Sequence, residues 1–217
     1  MHQELSCKFS GNGADIIRTI FHKSREAGRD IGKAARIIKD GGIVIYPTET
    51  VYGIGANIFS EQALGRVFSL KKRKADKPIS VAVSNFRMMD DLVYITKRQR
   101  QFIEKFLPGP VTVILKKKKT VPDILTAEKD SIGIRYPDNE FALELIELAG
   151  VPITSTSANF SGEEPPRKVD EVKISADYIL DGGECAGEPS TVVDLVDMKI
   201  VRKGARYKEV LDGLHLI

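Results

Sequence analysis

The chain is predicted to fold as a single α/β (α+β) domain, a twisted sheet of mixed parallel and antiparallel strands flanked by helices. Three observations lead there. Helical and strand patterns alternate along most of the 217 residues, which is the signature of layered α and β structure. Several strand-to-strand connections carry no helical pattern, so some neighbours must pair antiparallel. No internal repeat or low-complexity linker interrupts the chain, so residues 1–217 are expected to form one domain with its core at about 30–206; Glu163-Glu164-Pro165-Pro166 is the best candidate for a mobile segment.

Each element has its own reason. Residues 4–9 suit an edge strand. Asp15 to Ala27 puts Ile16, Ile17, Ile20 and Phe21 on one helical face, with Gly28 as a stop. Asp30 is placed to cap a second helix, in which Ile31, Ala34, Ala35 and Ile38 recur at i, i+3, i+4 and i+7 until Gly41. Ile43-Val44-Ile45-Tyr46 is a buried strand, closed by Pro47 because proline has no N–H for a ladder. Ser60 caps a helix with Ala63, Leu64, Val67 and Phe68 inward, and that helix ends in the basic run Lys71 to Lys77. Ile79 to Val83 is a strand. Thr96 and Gln99 fit a capping box for a helix burying Phe102, Ile103 and Phe106, stopped by Pro108-Gly109-Pro110. Val111 to Leu115 and Ile132 to Tyr136 are strands, Asp138 opens a helix through Leu148, and Pro152 to Thr156 is another strand. The last third holds strands at 178–180, 191–196 and 199–202 and a short helix at 207–214.

Composition excludes several classes. Hydrophobic residues at 42% and charged residues at 29% are ordinary for a soluble globular protein. A chain of this length buries roughly 70–75% of its unfolded surface, enough for a real core. No apolar run approaches the ~18 residues of a membrane span, and Met1-His2-Gln3-Glu4 is no secretory signal, so a cytoplasmic location is expected. Cys7 and Cys185 have no metal or redox spacing. His2, His22 and His215 lie far from every polar motif, which argues against a Ser/His hydrolase or a His-ligated zinc enzyme. The net charge of +3 is too small to declare a nucleic-acid partner. There are two basic clusters, Lys71 to Lys74 and Lys116 to Lys119, and the run at 116–119 reads as a solvated hairpin end that guards a sheet edge.

The polar motifs carry the chemistry. Thr48-Glu49-Thr50 follows the opening strand, at the C-terminal end where open α/β sheets place ligands. Gly53 and Gly55 then permit close approaches that a Cβ would obstruct. Lys71, Arg73 and Lys77, in K-x-R-x-x-x-K spacing, combine a planar fork with point charges suited to polyphosphate oxygens. Thr154 to Gly162 is a hydroxyl-rich loop at a strand end, with Asn159 able to hold the loop through backbone bonds. Pro189-Ser190-Thr191 and Arg202-Lys203-Gly204-Ala205-Arg206 complete the set. Each one alone also fits a polar turn or a solvated helix end.

Taken together and in order, P-T-E-T-V-Y-G-x-G, K-x-R-x-x-x-K-P, I-R-Y-P, T-S-A-N-x-S-G, P-S-T-V-V-D and a late R-x-G resemble the YrdC family of L-threonylcarbamoyladenylate synthases, over residues from about 30 to about 206. The resemblance implies a YrdC-like fold and the synthesis of threonylcarbamoyl-AMP and pyrophosphate from L-threonine, bicarbonate and ATP, for the N6-threonylcarbamoyladenosine modification of tRNA. By the same resemblance Lys71, Arg73 and Lys77 are catalytic. Arg73, Lys77, Ser131, Ser157, Asn159 and Arg202 bind ATP, whose phosphates carry Mg²⁺ without side-chain ligands. Thr50, Arg135, Ser155 and Ser190 bind threonine, Arg135 by a bidentate grip on its carboxylate. A downstream tRNA threonylcarbamoyl transferase complex is the implied partner, with tRNA or double-stranded RNA as a further one and no membrane.

This chain departs from the family pattern at Lys74 and Lys203, where many relatives have Pro, and at Ala82, where some have His. The Ala82 difference puts one substrate contact in doubt. The sequence stops soon after the shared region, so any lid over ATP is expected from somewhere other than an added C-terminal domain. Two rival readings are a non-catalytic RNA-binding module and a carbamoyl-adenylate domain of hydrogenase maturation, the latter normally found in a longer chain with zinc-finger and acylphosphatase parts.

Overall fold

The computed structural model describes residues 27–72 and 77–217, so the strand and most of the helix expected at 4–9 and 15–27 lie outside it, as does Arg73. In chain order the elements are α1 (Ala27–Lys39), β1 (Val44–Tyr46), β2 (Gly53–Gly55), α2 (Glu61–Leu70), β3 (Ser80–Ala82), α3 (Phe86–Leu92), β4 (Val93–Tyr94), α4 (Lys97–Phe106), β5 (Val111–Lys117), α5 (Asp123–Thr126), β6 (Ser131–Arg135), α6 (Glu140–Ala149), β7 (Ile153–Ser157), β8 (Tyr178–Ile179), β9 (Thr191–Asp194), β10 (Lys199–Arg202) and α7 (Tyr207–His215). The strands form one sheet in the order β10-β9-β5-β6-β3-β7-β2-β1-β8, with β4 also paired to β5. Parallel pairs (β1/β8, β3/β6, β5/β9) are mixed with antiparallel ones, as the short connections require. Among the described residues no helix is long and apolar enough to cross a membrane.

Alternation along the strands sorts the core into two layers. Ile43, Ile45, Ile54, Val81 and Ile134 face a large cluster closed by Leu64 and Val67 of α2, Phe102, Ile103 and Phe106 of α4, and Val210 of α7. The opposite face offers Val44, Tyr46, Ala82 and Ile153 to a smaller cluster. Ile31, Ala34, Ala35 and Ile38 of α1 and Ala142, Leu145, Ile146 and Ala149 of α6 cover it. These two helices cover only part of their face. The remainder is left open, and that asymmetry positions the site.

Local signals explain most boundaries. The Ser60 hydroxyl accepts from Ala63 N–H at the start of α2, and Thr96 with Gln99 forms the complete capping box of α4. Phe68 is only partly buried against the core, less than its place in the pattern implied. Two caps differ from expectation. Helix α1 is already formed at Ala27, so Gly28 does not stop a helix and Asp30 falls inside one. An internal glycine costs only about 1 kcal/mol, less than the buried α1/α6 face returns. At α6 the cap is Asn139, which accepts from Ala142 N–H, while the N–H of Asp138 is taken by Glu49 Oε1 at 2.9 Å. The short elements α3, α5 and β4 carry too little periodicity to be seen in sequence.

The four-lysine run is also not a solvated edge. Lys116 and Lys117 belong to β5 and pair with Tyr94 and Val93 of β4 on one side, and Lys116 pairs with Ser131 of β6 on the other. Lys117 Nζ donates to Val121 O and pairs with Asp123, and Lys118 Nζ donates to Asp90 O at 2.6 Å. Two of the four ammonium groups are thereby tied down, and Lys116 and Lys119 are exposed.

Asp177 closes the sheet near β8. Its carboxylate accepts from Ile43 N–H at 2.7 Å and pairs with Arg66 of α2 at 2.8 Å. The hydrogen bond from Arg66, then that from the Ile43 N–H, hold this carboxyl below its ordinary range against the opposing effect of desolvation. Because its side chain is 39% exposed, Asp177→Ala is expected to cost only about 1 kcal/mol at pH 7 after allowing for solvent screening. A depressed folded pKa contributes stability above the unfolded value near 3.9 and loses it as pH falls through the folded one. Urea titrations should therefore show the gap to wild type closing below about pH 4, and a gap constant down to about pH 2.5 contradicts the assignment.

Candidate active site

Register alone gathers the site. Tyr46 stands opposite Gly53, Gly53 opposite Ser157, and Ser80 opposite Ser155. Ala82 lies beside Arg135, Arg135 opposite Thr112, Thr112 beside Val192, and Val192 opposite Arg202. All of these side chains therefore emerge on one face of the sheet, the face that α1 and α6 leave partly uncovered. Small residues line its middle: Gly53, Ser155, Ser157, Ser80 and Gly133. The surface there is low, and a cavity of about 200 Å³ fills the depression. Its walls include Thr50, Arg135, Ser155, Ser157, Ser190 and Arg202. The cavity is thus mounted on the face of the sheet, with the Thr48-Glu49-Thr50 loop as one wall, instead of sitting beyond the strand ends.

Glycine matters at two positions. The Tyr46 ring lies across Gly53 and Gly55, and a Cβ at Gly55 would come within 3.1 Å of that ring and 3.0 Å of Ile153 Cδ1. Tyr46 is fully buried and its hydroxyl donates to Thr154 O at 3.3 Å. Burial pushes its pKa well above the ordinary tyrosine value, so it lines the floor as a neutral group. Thr154 itself is a fastener between strands, donating to Ile54 O and accepting from Ala56 N–H.

The threonines of the loop have different tasks. Thr48 Oγ1 donates to Val51 O at 2.7 Å and accepts from the N–H groups of Thr50 and Val51. Its single proton is thereby committed, so in the 2.9 Å contact between the two hydroxyls Thr50 must be the donor. That leaves lone pairs of Thr50 Oγ1 for a ligand donor.

Arg135 is 3% exposed, a cation almost wholly inside the protein. Its Nη1 donates to Gly109 O and Val111 O, and its Nη2 lies 2.7 Å from Glu49 Oε1. The ion pair is close but poorly directed, since neither Nη2 nor Glu49 Oε2 makes a hydrogen bond of good geometry. Burial lowers the guanidinium pKa, and Glu49 opposes the shift. Both N–H groups of Nη1 are spent on protein carbonyls, so the expected grip on a carboxylate has only the Nε side of the guanidinium to use.

Ser190 joins the two ends of the cavity. Its carbonyl accepts from Arg202 Nε at 3.1 Å and Nη2 at 2.8 Å, its hydroxyl from Arg202 Nη2 at 3.0 Å, and Thr112 Oγ1 is 2.9 Å away.

The remaining expected residues are placed differently. Lys71 is buried and donates to Ser157 O at 2.5 Å and Asn159 O at 2.8 Å, while its carbonyl accepts from Ser161 N–H. It lies beneath the loop and not on the cavity wall. Lys77 is exposed beside Pro78 and Ile79, which do line the cavity. Extending the β3/β6 register puts Ser131 level with Pro78, at the Lys77 end and off the cavity wall. Asn159 Nδ2 donates to Phe160 O and Glu163 O, and its buried Oδ1 has no hydrogen-bond partner. Asn159 lines a second cavity of about 670 Å³ that shares Pro165 with the first. Ala82 is packed into the α1/α6 cluster, and Lys203 Nζ lies over the Tyr207 ring. Cys185 and His215 line neither cavity; Cys7, His2 and His22 are outside the described residues. Among those residues no group of three or more His, Cys, Asp or Glu is placed to hold a metal.

Sequence reasoning left out Thr112 and Ser80 and gave Glu49 no role. For Thr112 a signal existed: it is the lone hydroxyl in the apolar strand Val111-Thr112-Val113-Ile114-Leu115.

Fold and site together define a cavity whose described walls combine two arginines with serine and threonine hydroxyls and carry no cysteine or histidine. The chain belongs to the Sua5/YciO/YrdC family, whose model, described as "Telomere recombination", matches residues 36–204. It is 43% identical over 169 residues to a putative threonylcarbamoyl-AMP synthase of Methanocaldococcus jannaschii, covering 76% of this chain and 79% of the relative. A threonylcarbamoyl-AMP synthase of Escherichia coli is 34% identical, covering 82% of this chain and 97% of that one. The crystal structure of Pyrococcus abyssi Sua5 complexed with L-threonine superposes with a TM-score of 0.81 at 37% identity, covering 88% of this chain and 58% of that one. The chain thus spans little more than half of the Pyrococcus protein and nearly all of the E. coli one.

Glu49→Gln strips the buried guanidinium of its counter-ion and is expected to cost about 3 kcal/mol in chemical denaturation, on the scale for breaking a buried pair. Removing both charges in Glu49→Gln/Arg135→Met should recover part of that loss. A double variant as unstable as the sum of the singles contradicts a direct pairing.

Proposed function

We propose that this chain makes L-threonylcarbamoyl-AMP and pyrophosphate from L-threonine, bicarbonate and MgATP, in the cytoplasm, for the N6-threonylcarbamoyladenosine modification of tRNA. The observation that carries the reading is the convergence of Thr50, Arg135, Ser155, Ser157, Ser190 and Arg202, far apart in sequence, around one cavity. At about 200 Å³ that cavity lies below the ~300–1,000 Å³ of drug-sized ligand sites. It suits a small amino acid and leaves no room for a nucleotide beside it. ATP would then extend across the mouth, past Ser157 and Pro165 toward the Asn159 loop. The names of the relatives and the threonine bound to the Pyrococcus protein support the same assignment.

The chemistry asks for alignment more than for a reactive side chain. Threonine, held with its carboxylate toward Arg135, takes up bicarbonate on its amino nitrogen with loss of water. The new carboxylate oxygen attacks the α-phosphorus, and the bond to pyrophosphate breaks. Fixed positive charge near the phosphates and exclusion of water lower the barrier to such a displacement. Arg202, with Lys77 and Arg73 on the basic segment, supplies that charge, and Mg²⁺ arrives on the phosphate oxygens of ATP. Lys71 acts through the loop it holds. A tRNA threonylcarbamoyl transferase complex consumes the product.

Pyrophosphate release should require threonine and bicarbonate together. Release indifferent to threonine favours a carbamoyl-adenylate activity, and no release with tight RNA binding favours a binding module. Lys77→Ala, Arg73→Ala and Arg202→Ala are each expected to lower turnover by about 10²-fold, the usual effect of removing a preorganised charge; near-normal rates in all three refute the phosphate assignment. Arg135→Lys keeps a cation for Glu49 but loses the planar fork. Calorimetry should show threonine affinity falling by roughly tenfold or more with ATP affinity little altered.

A further inference from the structure

We infer that Thr112 is a positioning residue of the amino-acid subsite: paired with Ser190, it makes the two hydroxyls act as one O–H donor to the substrate carboxylate beside Arg135. The inference rests on the threonine-binding reading above and deepens it.

The place for such a donor follows from the state of Arg135. Nη1 spends both its N–H groups on main-chain carbonyls, and Nη2 is buried facing Glu49. That leaves the Nε edge of the guanidinium for a carboxylate, whose oxygens have more lone pairs than that edge has N–H groups. A donor from a neighbouring strand fills one of them. Thr112 stands directly opposite Arg135 across the β5/β6 pair, on the same face, and is 5% exposed.

Counting protons shows what the pair has to give. Two hydroxyls bring two protons, and one lies in the 2.9 Å contact between Thr112 Oγ1 and Ser190 Oγ. Ser190 Oγ also accepts from Arg202 Nη2, so one of its lone pairs is filled by a group that only donates. Whichever hydroxyl gives its proton to the other, a single proton is left, and both Thr112 and Ser190 line the cavity where it can be donated. The threonine methyl makes the geometry stiff. Thr112 Cγ2 sits 3.3 Å from where a Cβ on Gly133 would stand, so the methyl occupies the space over that glycine and Oγ1 is turned to Ser190. A β-branched side chain has little freedom to leave such a rotamer. The same serine holds Arg202, so the hydroxyl pair also links the amino-acid side of the cavity to the nucleotide side.

The test is a double-variant cycle on the full chain, read by steady-state pyrophosphate release and by calorimetry with L-threonine. Thr112→Val keeps the shape and removes the hydroxyl. It is expected to raise the KM for threonine about tenfold, the equivalent of one hydrogen bond, while the KM for ATP stays within about twofold. Thr112→Ser should restore the threonine KM to within about threefold. Ser190→Ala should raise the threonine KM as Thr112→Val does, with a further rise in the ATP KM because its hydroxyl also holds Arg202, and the threonine KM of the double variant should be no worse than that of the poorer single, because the pair acts as one donor. Additive losses in the threonine KM, a threonine KM unchanged in Thr112→Val, or equal rises in both KM values for that variant overturn the inference while wild-type activity stands. A wild-type chain that neither binds threonine nor releases pyrophosphate overturns the reading beneath it as well.

Discussion

The structure depends on keeping one positive charge inside it. Arg135 comes at the end of β6 in the middle of the sheet, and its guanidinium is held by two carbonyls of the Gly109 to Val111 segment and by Glu49 from the opposite wall. Desolvating a cation is costly unless oxygens surround it. Here the oxygens come from segments that would otherwise have no reason to meet. Glu49 meanwhile accepts the N–H of Asp138, the residue just before the Asn139 cap of α6. A demand made by one side chain thus sets the path of the β1–β2 loop, the turn before β5 and the entry to α6.

The face on which that charge sits is built by subtraction. Apolar side chains of α1 and α6 cover Val44, Ala82 and Ile153, and then stop. Beyond them the sheet presents glycine and serine, which are too short to fill the layer. The hollow is therefore a consequence of residue size along four neighbouring strands, and the hydroxyls left in it are the ones able to meet an anionic ligand. Lys71 completes the arrangement from below: its buried ammonium is the common partner of the Ser157 and Asn159 carbonyls, which fixes the turn that carries them.

Most of the fold was legible because local physics and packing agree along most of the chain. The apolar periodicity of α1, α2 and α4, the capping box at Thr96 and the β-branched run before Pro47 each point to what formed. What was not legible depends on distant partners. Asp138 has every mark of a helix cap until the neighbouring Asn139 is seen to make the capping bond to Ala142 N–H. Lys117 and Lys118 read as solvated until Asp123 and Asp90 are placed beside them. At the site, the residue types and their order identified the walls, and Thr50, Arg135, Ser155, Ser157, Ser190 and Arg202 do meet. Which nitrogens of Arg135 remain for a ligand, and that Lys71 faces inward, depend on contacts between residues about 25 and about 87 positions apart, which no local pattern encodes.

Pro165 belongs to the walls of both cavities, the small one over the sheet and the larger one behind the Asn159 loop. Its backbone has a nearly fixed φ, and the next residue is tied to β2 through the N–H of Tyr52 and the carbonyl of Pro166, 2.9 Å apart. A different residue at 165 would therefore alter the lining of both chambers at once, and the hydrogen bond beside it ties that shared wall to the sheet.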